Sequence, residues 1–218
     1  MRKAKAAASV TAPPLCKRIS RKPLTTAETG CALSHIHALE YVTRSAAKSV
    51  LILEDDVLGA DRSIDTVASI AMRLPDHHFL LCGGQDGLRG RHYLRGKKEA
   101  PDYFRLPPMM LRFASRACAY AVSPSMATAI LQQQRTCLDR ADNWRMLLYA
   151  QKALYFTNCL HHPRDTVDSH LENGRTVEKQ NPFIWRAWND GLGYTLSTQT
   201  IKLLIPPTAL MLGWKRLF

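Results

Sequence analysis

The chain has 218 residues, of which 46% are hydrophobic; these values exclude a disordered tail and favour one globular domain with a sizeable core. Thirty Lys and Arg residues against eighteen Asp and Glu give a formal net charge of +12 at pH 7. This excess favours a polyanionic partner, such as nucleic acid, anionic lipid or a phosphorylated glycan. No apolar run reaches the length of a membrane span.

The basic residues are spread along the chain, and aromatic residues do not alternate with them as a stacking platform for single-stranded nucleic acid requires. We therefore expect no nucleic-acid partner, and peripheral contact with an anionic membrane surface fits the charge better. The apolar segment from Leu203 to Trp214, which Lys215 and Arg216 follow, is typical of two structures. It could rest in a membrane interface or pack on the core as a C-terminal segment.

Six cysteines, at positions 16, 31, 82, 118, 137 and 159, form no CxxC pair and no zinc-finger spacing. Cys82 and Cys118 lie within apolar runs, which is typical of buried free thiols in a reducing compartment. The N-terminal residues lack the apolar core of a signal peptide. The sequence therefore predicts free thiols and a cytoplasmic location, with peripheral attachment at the inner face of the cytoplasmic membrane as an option.

The first predicted element follows a basic arm, residues 1–22, whose composition indicates little regular structure. Thr25 and Glu28 form a capping-box pattern, which predicts a helix running to about Ser45. His35 lies at the edge of the apolar stripe of this helix, so its side chain should face the fold.

Strand and helix patterns alternate through the rest of the chain, as they do in an α/β sandwich with a largely parallel sheet. The predicted strands cover residues 49–53, 79–82, 112–122 and 154–159, and the predicted helices cover 63–74, 124–134 and a segment opening at 138–144. The first strand is aliphatic throughout and should be buried on both faces. Residues 88–110 are basic and contain prolines, which predicts a loop or a short hairpin.

Three consecutive carboxylates, Glu54, Asp55 and Asp56, follow the first predicted strand. Ligands of open α/β sheets bind outside the carboxyl ends of the strands. Crowded carboxylates repel one another unless a proton or a cation relieves them, and oxygen ligands of this kind suit Mg²⁺ or Mn²⁺. Acids are also common where a strand gives way to a solvated loop, so the run alone does not separate a metal site from an ordinary loop.

Two motifs, in this order and at this spacing, resemble glycosyltransferase family 25, whose bacterial members extend lipooligosaccharide or lipopolysaccharide. The first comprises Pro23-Leu24-Thr25 and Gly30-Cys31-Ala32-Leu33-Ser34-His35, and the second is Leu51-Ile52-Leu53-Glu54-Asp55-Asp56. Segments 119–123, 141–144 and 168–175 are similar to weaker motifs of the family. The resemblance covers about residues 23–176.

This resemblance implies a GT-A-like, Rossmann-like α/β fold with a mixed, mostly parallel sheet flanked by helices. It also implies transfer of a hexose, galactose or glucose, from a UDP-sugar donor to a lipid-linked glycan acceptor, with inversion at the anomeric carbon. A divalent Mn²⁺ or Mg²⁺ cofactor would neutralise the charge that develops on the departing nucleotide diphosphate.

The acidic motif of such enzymes falls on Glu54, Asp55 and Asp56. Asp56 is the first choice for direct metal contact, while Glu54 and Asp55 are candidates for the metal or the donor ribose. Ser34 and His35 are candidate donor-binding residues, and a buried, hydrogen-bonded structural histidine is the alternative for His35.

Inverting transfer needs a general base for the acceptor hydroxyl, and Asp142 is the candidate, with Asp139 in reserve. The alternative for Asp142 is a helix N-cap. His161, His162 and His170 lie where some GT-A enzymes supply a further metal ligand, but we expect none of the three to be one.

The sequence departs from the family pattern at its start. Members normally begin with a strand and an INL.RS..R segment that helps to hold the nucleotide, whereas only a basic, Ala-rich arm precedes Pro23. An inactive, truncated family member is therefore an alternative to an active enzyme. The expected divisions are an arm over 1–22, a family domain over 23–180, and an apolar and basic extension over 181–218.

Two readings from other classes remain. The segment Ile52 to Val57 also resembles the first strand of a response-regulator receiver domain, but residues 96–102, where the phosphoacceptor strand should end, are not apolar. A non-enzymatic module that binds glycan or nucleic acid rests on charge alone, and steep salt dependence without sugar transfer would support it.

Overall fold

A computed structural model of the protein describes residues 24–163, 199–205, 209 and 211–218. The α-helices are α1 (Thr26–Arg44), α2 (Asp61–Arg73), α3 (Pro124–Thr136) and α4 (Trp144–Leu147), and residues 199–205 are also helical. The strands are β1 (Val50–Leu53), β2 (Phe79–Gly83), β3 (Arg95–Ala100), β4 (Tyr103–Arg105), β5 (Ala119–Val122), β6 (Leu154–Leu160) and β7 (Lys215–Arg216). Short 3₁₀ helices span Arg89–Tyr93 and Pro108–Phe113.

The strands form a seven-stranded sheet in the order β1-β5-β2-β6-β4-β3-β7. The mixed α/β class is confirmed, but the expectation of a mostly parallel sheet is wrong, since among the described strands only β2 and β6 pair in parallel. β5 runs antiparallel between β1 and β2, and β3 and β4 form the hairpin allowed for residues 88–110. Alternating strand and helix patterns therefore did not determine strand direction, because a short turn is enough to reverse it.

Strand β1 lies at one edge of the sheet formed by the described residues, where its partner is β5. Its residues are half-buried and Leu53 is 44% exposed, so the prediction that it is buried on both faces is wrong. The second predicted strand is correct, because β2 lies between β5 and β6 and all five of its residues are buried. The third begins only at Ala119, after a 3₁₀ helix and a loop.

Helix α1 begins as predicted. The Thr25 backbone N–H donates to Glu28 Oε2 at 3.0 Å, and the Glu28 N–H donates to Thr25 Oγ1 at 3.2 Å, which completes the capping box. The buried face of the helix carries Ala32, His35, Leu39 and Val42. His35 therefore faces the fold, as its position on the apolar stripe indicated.

Replacing Thr25 with Ala should lower the free energy of unfolding by about 1 kcal/mol, because a helix N–H loses its side-chain acceptor. Thr29→Ala is the matched control, since Thr29 only bonds back to the Thr25 carbonyl at 2.9 Å and Ala has the higher helix propensity. Urea unfolding followed by circular dichroism measures both. Equal losses in the two variants would show that the capping bond contributes nothing specific.

Helix α4 is shorter than the sequence indicated and begins at Trp144, after its acids. The Trp144 ring lies 4.7 Å from the Phe79 ring and 5.1 Å from the Tyr120 ring, centroid to centroid. This aromatic group joins α4 to the middle of the sheet. Residues 138–143 form a loop that contains a turn, and the helix starts after them.

The C-terminal segment has features of both structures proposed for it, a core-packing segment and a membrane-interface segment. Ile205, Ala209 and Leu217 are buried and Trp214 packs on the main core, whereas Leu203, Leu204, Met211 and Leu212 are exposed. One face therefore packs on the domain and the other presents apolar side chains to solvent. None of the described helices is both long and apolar enough to cross a bilayer.

Four of the cysteines, Cys31, Cys82, Cys118 and Cys159, are free thiols, as predicted. Cys137 departs from that expectation because it is disulfide-bonded. Cys82 and Cys118 are fully buried in apolar surroundings, and this burial raises the pKa of both thiols. They are packing residues rather than nucleophiles.

Candidate active site

Several loops meet at one edge of the sheet. β5 is antiparallel to both β1 and β2, and β2 is parallel to β6, so β1, β2 and β6 all run in the same direction. Their carboxyl ends and the amino end of β5 therefore lie together. This is the sheet edge at which α/β folds bind ligands, and it carries the acidic motif.

Backbone hydrogen bonds hold the acidic loop against its neighbours. The Glu54 N–H donates to the Cys118 carbonyl at 2.8 Å, which continues the pairing of β1 with the segment before β5. Leu58 and His161 exchange two backbone bonds, of 2.9 and 2.8 Å, as an isolated antiparallel bridge. The loop after β1 is thus attached to the end of β6, three strands away in the sheet.

That attachment brings His162 to the acidic motif. Its Nε2 lies 3.0 Å from Asp56 Oδ2, and ligand atoms of Glu54, Asp56 and His162 all lie within 4.8 Å of one another. Sequence reasoning placed Glu54 and Asp56 on a metal but did not expect His162 there. The signal that could have found it was its position just after a strand parallel to the strand that precedes the acids.

The hydrogen bonding of His162 directs its second ring nitrogen at the acidic motif. Its Nδ1 lies 2.6 Å from the Pro163 carbonyl, an acceptor only, so Nδ1 carries a proton. In the neutral ring Nε2 is then an acceptor that faces the Asp56 carboxylate. Asp56 Oδ1 is also buried without a hydrogen-bond partner among the described residues. Either a proton or a cation between these atoms would relieve the repulsion.

His35 lies on the other side of Glu54. Its Nε2 is 3.2 Å from Glu54 Oε1 and its Nδ1 is 3.0 Å from the Tyr120 hydroxyl. Burial favours the neutral ring, but interactions with Cys31 and Glu54 favour the imidazolium and together raise the pKa of His35 to about 9. His35 is thus a buried, hydrogen-bonded helix histidine, and it is also in direct contact with the acidic motif.

The other two candidate donor residues lie further out. Asp55 is exposed between Glu54 and Asp56. Ser34 is exposed on α1, and its hydroxyl donates to the Gly30 carbonyl of its own helix at 3.1 Å. Neither side chain is brought into the group formed by Glu54, Asp56 and His162.

A second charged group at the same edge was not predicted. Asp86 accepts a hydrogen bond from His161 Nδ1 at 2.9 Å and lies 3.6 Å from Arg91 Nη1. Arg116 Nη1 donates to the carbonyls of Gly84, at 3.0 Å, and Asp86, at 2.8 Å. These residues come from three separate segments: the connection between β2 and β3, the loop before β5 and the end of β6. No local motif therefore indicated them.

The two candidate bases have different surroundings. Asp139 is buried and accepts from the Arg140 N–H at 2.7 Å and from Asn143 Nδ2 at 2.8 Å, and burial raises the pKa of its carboxyl. Asp142 is half-buried and accepts from the Arg116 N–H at 3.3 Å. The N-cap of α4 is Asn143. Asp142 is therefore not an N-cap. Asp139 instead accepts the hydrogen bonds that hold its own loop together.

Asp142 and Trp144 both hold the backbone of Arg116. Besides the Asp142 contact, Trp144 Nε1 donates to the Arg116 carbonyl at 3.0 Å. Arg116 has a φ of 63°, a left-handed conformation that costs energy in a residue with a Cβ. Its surroundings therefore determine the conformation, which is common at ligand sites.

The glycines at the end of β2 serve close backbone packing. A Cβ at Gly83 would lie 1.8 Å from the Leu160 carbonyl oxygen, and one at Gly84 would lie 2.2 Å from Cys118 Sγ. Both residues have positive φ. Gly83 lets β6 approach closely and Gly84 leaves room for Cys118, so ligand approach is not required to explain either glycine. His170 lies outside the described residues.

The comparison with protein families agrees with the resemblance carried by the two motifs. The model of glycosyltransferase family 25 (LPS biosynthesis protein) matches residues 2–145, more than half of the chain. The match includes residues 2–22, which the motifs did not reach, and ends before residues 146–176, which they did. A receiver domain is not supported, because residues 96–102 belong to an antiparallel hairpin.

No curated protein and no solved structure matches the chain. The assignment of the chain to a family therefore rests on the family model, whose match covers most of the residues described at this edge of the sheet. It includes α1, the acidic motif after β1, and both Asp139 and Asp142. The chain belongs to glycosyltransferase family 25, the family of lipopolysaccharide biosynthesis glycosyltransferases.

Proposed function

We propose that the protein is a metal-assisted, inverting hexosyltransferase that uses a UDP-sugar, with galactose or glucose as the hexose, and a lipid-linked glycan acceptor. The observation that carries the proposal is the group formed by Glu54, Asp56 and His162. It combines converging oxygen and nitrogen ligand atoms with a buried carboxylate oxygen that has no partner among the described residues. In a family of sugar transferases, such a group would hold the metal ion that binds the diphosphate of the sugar donor.

The residues present fit a divalent cation. Glu54, Asp56 and His162 would hold it through two carboxylates and one imidazole, a set that suits Mn²⁺ and also permits Mg²⁺. When bound, such an ion neutralises charge on a nucleotide diphosphate leaving group. Asp56 is the central ligand, because it has one oxygen facing His162 and one oxygen without a partner.

The chain's own residues supply the rest of the chemistry. Asp142, held beside the sheet edge through the Arg116 backbone, removes the proton from the acceptor hydroxyl. Arg91, which is partly buried near Asp86, is at the same edge and can contact a donor phosphate. Glu54 is held by the hydrogen bond from His35, so the carboxylate keeps its orientation as ligands enter and leave.

The C-terminal surface suits an acceptor attached to lipid. Leu203, Met211 and Leu212 are exposed, and the exposed cations Lys215 and Arg216 follow them directly. Apolar side chains beside cations are typical of peripheral contact with an anionic membrane. We propose that this surface holds the protein near its acceptor.

The test is titration calorimetry of the full chain with UDP-galactose and UDP-glucose, with Mn²⁺ and after chelation. We expect binding with Mn²⁺ and at least about a tenfold weaker affinity without it, since one such step corresponds to about 1.4 kcal/mol. Magnesium should support binding as well. Equal affinity before and after chelation would contradict the metal-assisted mechanism. Sugar transfer in the absence of a nucleotide sugar would contradict the proposal that a UDP-sugar is the donor.

A further inference from the structure

We propose that Cys31, His35 and Glu54 form a second metal site, one that binds Zn²⁺ and competes for Glu54 with the ion held by Asp56 and His162. Ligand atoms of Cys31, His35 and Glu54 all lie within 4.8 Å of one another. The first two side chains lie one turn apart on α1, so the helix itself aligns them. Glu54 reaches them from the end of β1.

The chemistry of these ligands differs from that of the neighbouring group. A thiolate, an imidazole and a carboxylate are the ligand types of protein zinc sites, and three protein ligands leave one position for water. Glu54, Asp56 and His162 offer no sulfur and suit harder ions. Cys31 is a free thiol and half-buried, so it is accessible to an ion from solvent.

The surroundings of His35 already provide the support that a zinc ligand requires. A metal-bound histidine usually donates its other ring N–H to an oxygen. With zinc on Nε2, the Nδ1–H of His35 would donate to the Tyr120 hydroxyl oxygen, which is 3.0 Å away. The Tyr120 side chain is buried and burial raises its pKa, so the hydroxyl stays neutral and can accept as well as donate.

Glu54 belongs to both groups of ligand atoms, so an ion in one group should affect binding in the other. Its Oε1 lies 3.2 Å from His35 Nε2, and the same carboxylate belongs to the group with Asp56 and His162. Two cations close together on one carboxylate repel each other strongly. Zinc at Cys31 should therefore weaken Mn²⁺ binding at Asp56 and inhibit transfer. This inhibitory step rests on the proposed function, whereas zinc binding does not.

The test uses Co²⁺ as a spectroscopic substitute for Zn²⁺ on the full-length wild type, Cys31→Ser and Cys159→Ser. Coordination by a thiolate gives an intense sulfur-to-cobalt charge-transfer band, which oxygen and nitrogen ligands do not give. We expect the band in wild type and in Cys159→Ser, the control with another half-buried free thiol, and its loss in Cys31→Ser. Stoichiometric Zn²⁺ should abolish the band in wild type. A missing band in wild type, or an unchanged band in Cys31→Ser, overturns the site.

Further variants separate this proposal from the proposed function. Asp56→Asn should keep the cobalt band and lose Mn²⁺-dependent donor binding, and His35→Gln should weaken the band while the thiol remains. Zn²⁺ should inhibit Mn²⁺-supported transfer at least tenfold more strongly in wild type than in Cys31→Ser. Equal inhibition in both overturns the competition. Absence of transfer in every protein overturns the proposed function and leaves the cobalt result standing.

Discussion

Asp56→Asn should abolish Mn²⁺-dependent binding of a UDP-sugar and lower kcat/KM by more than about 100-fold. Mutation of a residue that only supports a metal ligand typically lowers metal affinity or activity 10- to 100-fold. Loss of a direct ligand should cost more. The variant should fold normally, since the carboxylate it removes faces an imidazole nitrogen at 3.0 Å and has an oxygen without a partner. Calorimetry with and without Mn²⁺, together with thermal unfolding, measures these effects.

Asp55→Asn is the matched control for that experiment. Asp55 is the next residue in the same loop and carries the same charge, but its side chain is exposed. We expect less than a threefold change in kcat/KM, because exposed charges interact weakly through water. Equal losses in the two variants would mean that the loop contributes only general negative charge. His162→Gln should behave like Asp56→Asn if the imidazole is a ligand.

The second large effect is expected at Asp142. Asp142→Asn should lower kcat by about 10²- to 10⁴-fold, the range that positioned general bases contribute. The KM for the donor should change little. The amide oxygen of Asn can still accept the hydrogen bond from the Arg116 N–H, so stability should be retained. Steady-state kinetics of the wild type and the variant, with both substrates varied, measures these changes.

Asp139→Asn distinguishes the two candidate bases. The Asp139 carboxylate accepts from the Arg140 N–H and from Asn143 Nδ2 in a buried loop. An amide in its place leaves one of these donors poorly satisfied, which should cost about 1–3 kcal/mol of stability. We expect kcat per folded molecule to remain near that of wild type. The reverse pattern, a kcat loss only at Asp139, would transfer the role of base to the reserve candidate.

The elements that could be predicted from sequence are those whose signal is local. The capping box of Thr25 and Glu28, the termination of β2 at its glycines, and Ser123 with Pro124 at the start of α3 each depend on residues within one turn. Local backbone hydrogen bonds and fixed φ values decide such boundaries in any fold. The family assignment is of the same kind, because it rests on motifs read along the chain.

The sequence by itself determined the family, the main helices and the acidic motif, because each is encoded by neighbouring residues. Only the tertiary structure decided that β1 lies at the edge of the described sheet, that this sheet is mostly antiparallel, and that His162 meets Asp56. It also showed Arg116 and Asp86 at the same edge as the acids. These facts depend on which strands pair and in which direction. The free energy of strand pairing comes from contacts between residues that are distant along the chain. No single segment carries the information.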